Sequence, residues 1–261
     1  MRLVAALPLA LAVVVFARGA WRLRRVRRPA LGAGRMLAAA VAFVALGVAL
    51  CDAVHAFGHT LFTAHMAQHL LLVSIAAPAL LLADPFGVVL WGLPGGLRRV
   101  VGRALAPHTL VRRTAASATR MTVTWPLYVL VLWLWHLPGP YDAALRSGPL
   151  HDLEHVLFFA AALLFWWPVV GRAPRLAPPA HPAARIAYLV LGALSNGALG
   201  LILSTRDAPL YAAYTLDDQS RGGVLMWTVG SAVDMAAVLL VVAQVLSSPA
   251  FVDPSVPVRD N

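Results

Sequence analysis

The chain has 261 residues, 60% of them hydrophobic, with a mean hydropathy of +0.76 and a formal net charge of +10. This composition excludes an ordinary soluble domain, and the single cysteine, Cys51, excludes a disulfide framework and a thiolate zinc site. All 21 basic residues are arginines, clustered between apolar runs. Such clusters are typical of topology signals and of anchors to membrane lipid phosphates, and we exclude a nucleic-acid-binding surface.

The length allows about seven membrane spans of roughly 20 residues each, together with their loops. We therefore predict an all-α polytopic membrane protein, with residues 1–261 forming a single transmembrane helical bundle. The predicted helices cover residues 3–21, 36–56, 60–82, 122–135, 151–170, 186–203 and 224–246. A short turn around Gly58 is predicted to separate the second helix from the third. The run His136-Leu-Pro-Gly-Pro-Tyr141 is predicted to stop the fourth.

The connections between these helices differ in character. Residues 84–121 are predicted to form a long Arg-rich cytoplasmic loop, in which the apolar stretch 85–93 either lies in the membrane interface or re-enters the bilayer. A polar outer loop containing Asp207, Asp217, Asp218 and Gln219 is expected before the last helix. Residues 247–261 are predicted to be a short cytoplasmic tail.

The distribution of arginine predicts an orientation. The segments 22–35, 84–121 and 171–185 carry fifteen of the 21 arginines. The alternate segments carry only Arg2, Arg146, Arg206 and Arg221. Because connections rich in arginine stay on the cytoplasmic side, we predict that the N-terminus lies outside and the C-terminus inside.

Histidines converge on one side of the membrane in this topology. Seven of the nine are predicted to lie at outer helix ends, namely His55, His59, His65, His69, His136, His151 and His155. Six of them form i,i+4 pairs, which a helix places one turn apart, roughly 5–6 Å between Cβ atoms, so that both rings can bind one metal ion. Ionisable groups inside a membrane are costly and therefore indicate function. His108 and His181 are interpreted as ordinary loop residues.

Residues around these histidines narrow the chemistry. Imidazole suits zinc, copper, iron and nickel, and the thioether of the neighbouring Met66 favours Cu(I). Gln68 lies between His65 and His69. Asp152 and Glu154 lie inside the His151/His155 pair, where a carboxylate can accept the second ring N–H and fix the imidazole.

Three other functions use the same residues. The run His151-Asp-Leu-Glu154-His155 matches the inverted zincin order H-x-x-E-H, which would make the chain a seven-helix membrane zinc hydrolase. Bis-histidine haem ligation needs histidines that face each other across a four-helix core, whereas i,i+4 pairs on one helix cannot bind opposite faces of one haem. A copper importer would share the outer histidines and methionine.

Four motifs carry a resemblance to a known family, and they occur in the expected order between residues 50 and 230. They are His65-Met66-Ala-Gln68-His69 leading to Pro78, Trp135-His136-Leu-Pro to Tyr141-Asp142, His151-x-x-Glu154-His155 leading to Phe165-Trp166-Trp167-Pro168, and Asp218-Gln219-x-x-Gly222-Gly223-x-x-Met226-Trp227. On these motifs the chain resembles the integral-membrane CtaG-type cytochrome c oxidase assembly factors of bacteria.

The resemblance implies a multi-pass protein of the bacterial plasma membrane that is not an enzyme and is needed to mature a haem–copper oxidase. Copper would be the metal delivered, with zinc as the alternative, and the partners would be oxidase subunits and a periplasmic or other extracytoplasmic copper donor. Carried over by motif, the site residues are His65, His69, His136, His151, His155 and Asp218. His55 and His59 would be entry or accessory ligands, with Met66 or Asp218 near a fifth position.

Overall fold

The computed structural model of the chain describes residues 3–25, 32–170, 176 and 180–247, and all regular structure within them is helical. The predicted all-α class is therefore confirmed. The helices are α1 Leu3–Arg25, α2 Ala33–Ala49, α3 Asp52–Thr60, α4 Phe62–Leu70, a π-helical segment Leu71–Ala76, α5 Ala77–Leu82, α6 Pro85–Gly92, α7 Gly95–Ala104, α8 Leu110–Ala118, α9 Met121–Trp135, α10 Pro138–Arg146, α11 Gly148–Val170, α12 Pro182–Ser204 and α13 Leu216–Leu246. The predicted tail from residue 248 onwards and the arginines Arg2, Arg27, Arg28, Arg172 and Arg175 lie outside the described residues.

Five of the described stretches are long and apolar enough to cross a membrane. They are Ala6–Arg25, Phe62–Leu82, Gly148–Val170, Pro182–Ser204 and Leu216–Leu246. Two further candidates are bent pairs, α2 with α3 at 53° and α9 with α10 at 68°. If each bent pair forms one span, the described part of the chain has the predicted seven.

The second predicted helix does not run on to residue 56. It ends at Ala49, and the chain bends at Cys51, whose extended backbone precedes the new helix α3. Asp52 lies in the first turn of α3, where an acidic side chain is favourable, so this residue favours the start of a new helix here. The turn expected at Gly58 lies instead at Leu61, which has φ −130° and ψ 119°.

Gly58 has a packing role in place of the predicted turn. It is buried within α3, and a Cβ at this position would lie 2.7 Å from Oε1 of Gln68 on α4. The missing side chain therefore lets two histidine-bearing helices approach each other closely. The amide of Gln68 also donates to the carbonyl of Ala49 at 2.8 Å, which ties α4 to the end of α2.

The last helix begins eight residues earlier than predicted, because polar residues assigned to the outer loop form its first turns. Thr215 caps α13 by accepting a hydrogen bond from the backbone N–H of Asp218 at 3.3 Å. Asp217 and Asp218 occupy the first turn, where negative charge is favourable. The apolar pattern alone revealed only the later, membrane-spanning part of this helix.

The Arg-rich connection 84–121, predicted as a long cytoplasmic loop, is largely helical. Its apolar beginning forms α6, which packs against α1 so closely that the two backbones touch. A Cβ on Gly19 of α1 would clash with the Val88 carbonyl oxygen, and a Cβ on Gly92 would clash with the Val15 carbonyl oxygen. Arg22 donates to the carbonyl of Trp91 at 3.0 Å and so fixes the end of α6.

Helix α11 packs against several neighbouring elements. It contacts the π-helical segment and α5 on one side and α9 on another, while α13 packs on α4 and α12. The contact of α12 with α13 uses Gly200 and Gly223, where an added Cβ would lie within 3.0 Å of backbone atoms of the other helix. Small residues of this kind allow close helix packing inside a membrane.

Cysteine labelling tests the predicted orientation. In a Cys51→Ser background, a membrane-impermeant thiol reagent should label Ser147→Cys, which lies between α10 and α11, in intact cells. It should label Thr114→Cys, which is exposed on α8, only after the membrane is permeabilised. The reason is that arginine-rich connections stay in the cytoplasm. The reverse labelling pattern would invert the bundle and place its histidines on the cytoplasmic side.

Candidate metal centre

Three helices bring six histidines together, two from each. His55 and His59 lie on α3, His65 and His69 on α4, and His151 and His155 near the start of α11. Each pair has i,i+4 spacing, so both rings lie on the same side of their helix. The structure thus places the three predicted pairs in one cluster, which no single stretch of sequence contains.

The inner triad consists of His65, His69 and His155. Each residue offers a ring nitrogen within 4.8 Å of the others, and all three are buried. The Nε2 atoms of His65 and His69 lie 3.0 Å apart. The ring of His155 lies 5.4 Å from that of His69, centroid to centroid. This geometry allows three imidazoles to bind one ion.

The outer triad consists of His55, His59 and His151, and it meets the same distance limit. The Nε2 atoms of His55 and His59 lie 3.1 Å apart. His151 is buried, whereas His55 and His59 are only half-buried. The two triads adjoin, since the rings of His65 and His151 lie 5.0 Å apart.

Glu154, the only glutamate of the chain, lies between the triads and is fully buried. One carboxylate oxygen lies 3.7 Å from Nε2 of His69, and the other lies 3.8 Å from Nε2 of His65 and 3.9 Å from that of His151. Neither oxygen has a hydrogen-bond partner. A buried carboxylate in this state is costly unless a proton or a neighbouring cation neutralises it. Glu154 was predicted as an accessory acid. In the structure it lies close enough to His65 and His151 for the three side chains to bind one metal ion.

His136 lies at the edge of this cluster, whereas Met66 belongs to the apolar core. The ring of His136 is 6.0 Å from that of His69, and its Nδ1 lies 2.7 Å from the carbonyl oxygen of Leu132. Its buried Nε2 has no hydrogen-bond partner. Met66 is fully buried in the main apolar core with Phe62. Asp152 is half-buried near the start of α11 and belongs to none of the metal-sized groups found among the described residues.

Asp218 and Gln68, both predicted as accessory residues, contact the backbone of the helices that carry the histidines. The Asp218 carboxylate accepts hydrogen bonds from the N–H groups of Phe62 and Thr63 and from Oγ1 of Thr63 at 2.7 Å. It therefore caps the N-terminus of α4 from α13. Gln68 ties α4 to α2 as described above. These contacts position α4 and do not place Asp218 among the imidazoles, so a fifth-position ligand is not its observed role.

Three tyrosines beside the cluster were not among the predicted site residues. Tyr214 donates to the Gly58 carbonyl at 2.7 Å, and Tyr211 donates to the His136 carbonyl at 2.8 Å. Burial raises the pKa of Tyr214 to about 12 and raises that of Tyr211 as well, so both phenols stay neutral donors at physiological pH. Tyr141 stacks on Tyr211 and lies 5.1 Å from the ring of His65. The sequence signal for them was their position, since Tyr141 closely follows His136, and Tyr211 and Tyr214 precede the acidic residues that begin α13.

The π-helical segment follows His69 directly and gives this span a local irregularity next to the site. Such segments are rare and occur frequently at functional sites. The carbonyl of Val73 within it accepts a hydrogen bond from the Trp166 indole at 3.0 Å. That bond links the span of His65 and His69 to α11, which carries His151, His155 and Glu154.

The ligand set of imidazoles and one carboxylate suits zinc, copper, iron or nickel. An inverted zincin would use His151 and His155 on one zinc with Glu154 as base. Here these two histidines belong to different triads, and the carboxylate lies among three imidazoles.

Comparison with known proteins gives relatives in mycobacteria. The chain is 26% identical over 224 residues to "Uncharacterized protein Mb0105" of Mycobacterium bovis and, equally, to "Uncharacterized protein MT0111" of Mycobacterium tuberculosis. It is 24% identical over 222 residues to "Uncharacterized protein ML1998" of Mycobacterium leprae. These matches cover 80–81% of the chain but only 33% of each relative, so the chain spans about a third of their length.

No solved structure matches the chain significantly. The sequence profile described as "Cytochrome c oxidase caa3 assembly factor (Caa3_CtaG)" matches residues 14–248, which include every histidine of the cluster. This match covers most of the chain and confirms the resemblance that the four motifs carry. The chain therefore belongs to the family of caa3-type cytochrome c oxidase assembly factors.

Proposed function

We propose that this protein binds copper in its histidine cluster and delivers it to a haem–copper cytochrome c oxidase during assembly. The chain is a multi-pass protein of the bacterial plasma membrane, and its family consists of cytochrome c oxidase assembly factors. Its partners would be oxidase subunits, an extracytoplasmic copper donor and the surrounding lipids. Its role would be to carry an ion, without catalysing a reaction.

One observation supports metal binding above the others: the Glu154 carboxylate is fully buried among three imidazoles and has no hydrogen bond. Six imidazoles alone could be a hydrogen-bonded polar cluster. A carboxylate in their midst would be stabilised by the positive charge of a bound metal ion, and this is what favours a metal over a purely hydrogen-bonded cluster.

The choice of copper rests on chemistry and on the family. A site of nitrogen and oxygen ligands binds divalent copper more tightly than zinc, and imidazole also suits Cu(I). The family assembles a caa3-type cytochrome c oxidase, and the resemblance carried by the four motifs implies that copper is the metal delivered. Zinc, which accepts the same ligands, is the competing ion.

Metal analysis of the purified protein tests this proposal. The protein is isolated in detergent from cells grown with both metals, and copper and zinc are quantified in the same sample. We expect copper to be retained through gel filtration, because the inner triad is buried and exchanges slowly. Stoichiometric zinc without copper, or neither metal after addition of Cu(I) to the apoprotein, would contradict it.

A further inference from the structure

The number of ligands in the cluster exceeds what one ion uses. The inner and outer triads share no residue, and each by itself meets the distance limit for three ligands on one ion. A zinc or copper ion in a protein typically takes about four ligands. Six imidazoles and a carboxylate are therefore enough for two ions.

The carboxylate of Glu154 is placed between the triads. Its Oε1 lies 3.7 Å from Nε2 of His69, in the inner triad. Its Oε2 lies 3.9 Å from Nε2 of His151, in the outer triad, and 3.8 Å from Nε2 of His65. Because the two oxygens approach imidazoles of different triads, one carboxylate can contact an ion in each.

The histidine side chains of the two triads differ in solvent exposure, so one triad is accessible from solution and the other is not. The inner histidines are 1–6% exposed. In the outer triad His55 and His59 are half-buried, and both lie on α3, a nine-residue helix set at 53° to α2. An ion in the outer triad can therefore exchange with solution, whereas an ion in the inner triad is shielded.

We propose that the cluster holds two copper ions at once, with the outer triad as the loading site, the inner triad as the retention site and Glu154 as the ligand between them. The proposal rests on the proposed function for the identity of the metal. Neutral imidazoles and one carboxylate supply a single negative charge in a buried place, which favours two monovalent ions over two divalent ones. The ions are therefore expected to be Cu(I), and transfer from one triad to the other is an exchange of ligands without a redox step.

Anaerobic titration of the apoprotein with Cu(I), in competition with a chromophoric Cu(I) chelator, measures the number of ions bound. We expect two per chain for the wild type and one for His55→Gln/His59→Gln. The glutamines keep polar side chains at half-buried positions, so the fold should persist, and elution as a single gel-filtration peak checks this. His108→Ala, which changes an exposed side chain in the 105–109 turn, is the control and should keep two ions.

One ion per chain in the wild type, or two in His55→Gln/His59→Gln, would overturn the two-ion proposal. The copper content of the oxidase in the same cells tests copper delivery independently of the number of ions bound. Single-ion binding with an oxidase that still depends on His65 and His69 would leave copper delivery standing. Two-ion binding with a fully loaded oxidase in the absence of those histidines would leave the two-ion site standing and contradict delivery.

Discussion

Cells that carry His65→Ala/His69→Ala are expected to accumulate the protein but to lose active oxidase. The double change removes two of the three inner ligands. Loss of a group behind a ligand typically costs about 10–100-fold in affinity, so Cu(I) affinity at the inner triad should fall further than that. The oxidase should lack copper while its haem-bearing subunit persists. Activity, haem spectra and oxidase copper are measured in the same membranes.

The single changes should cost less than the double. His155 and Glu154 remain close to either vacancy, and water can complete the coordination of an ion. His108→Ala/His181→Ala removes the same number of imidazoles at exposed sites far from the cluster and serves as the control. Full copper occupancy and full oxidase activity in His65→Ala/His69→Ala would show that these histidines are boundary residues and that the site does not exist.

Glu154→Gln is expected to lower copper affinity by at least the roughly 10–100-fold that is typical for loss of a group behind a ligand, because the amide keeps the size of the side chain but not its charge. The same change should raise the melting temperature of the apoprotein, since it removes a buried carboxylate that has no hydrogen bond. Copper should then stabilise the variant less than it stabilises the wild type. Thermal unfolding with and without Cu(I) measures both effects.

Asp217→Asn is the matched control for Glu154→Gln. It neutralises an acid that is 73% exposed and paired with Arg221 at the start of α13. A hydrolase would respond to Glu154→Gln differently, by keeping the metal and losing the general base. Lipid or peptide hydrolysis by the wild type that disappears in Glu154→Gln, with copper or zinc affinity unchanged, would replace the carrier with an enzyme.

The class of protein and the pairing of the histidines along single helices could be predicted from the sequence because both depend on local chemistry. Apolar runs of roughly 20 residues predict membrane spans whatever their neighbours are. The spacing of His65 with His69, and of His151 with His155, places each pair on one helix side through helix geometry alone. The motifs around them carried the family, which the match over residues 14–248 confirms.

Helix boundaries were less predictable where polar residues contact or hydrogen-bond partners that are distant in sequence. The turn was expected at Gly58 because glycine favours turns, but here the absence of a side chain makes room for Gln68. Asp218 was assigned to a loop and to the metal, and it caps α4 across a sequence separation of 155 residues. Apolar periodicity does not report a cap supplied by another helix.

The sequence by itself determined that this is a helical membrane protein whose histidines come in pairs, since hydropathy and i,i+4 spacing are properties of single segments. Only the tertiary structure decided how the pairs combine: α3 with the start of α11 forms the outer triad, and α4 with α11 forms the inner one. It also placed Glu154 between them, with no hydrogen bond to either oxygen. The physical reason is that metal ligands must meet within a few ångströms, and this distance depends on packing between helices that are about 90 residues apart in the chain.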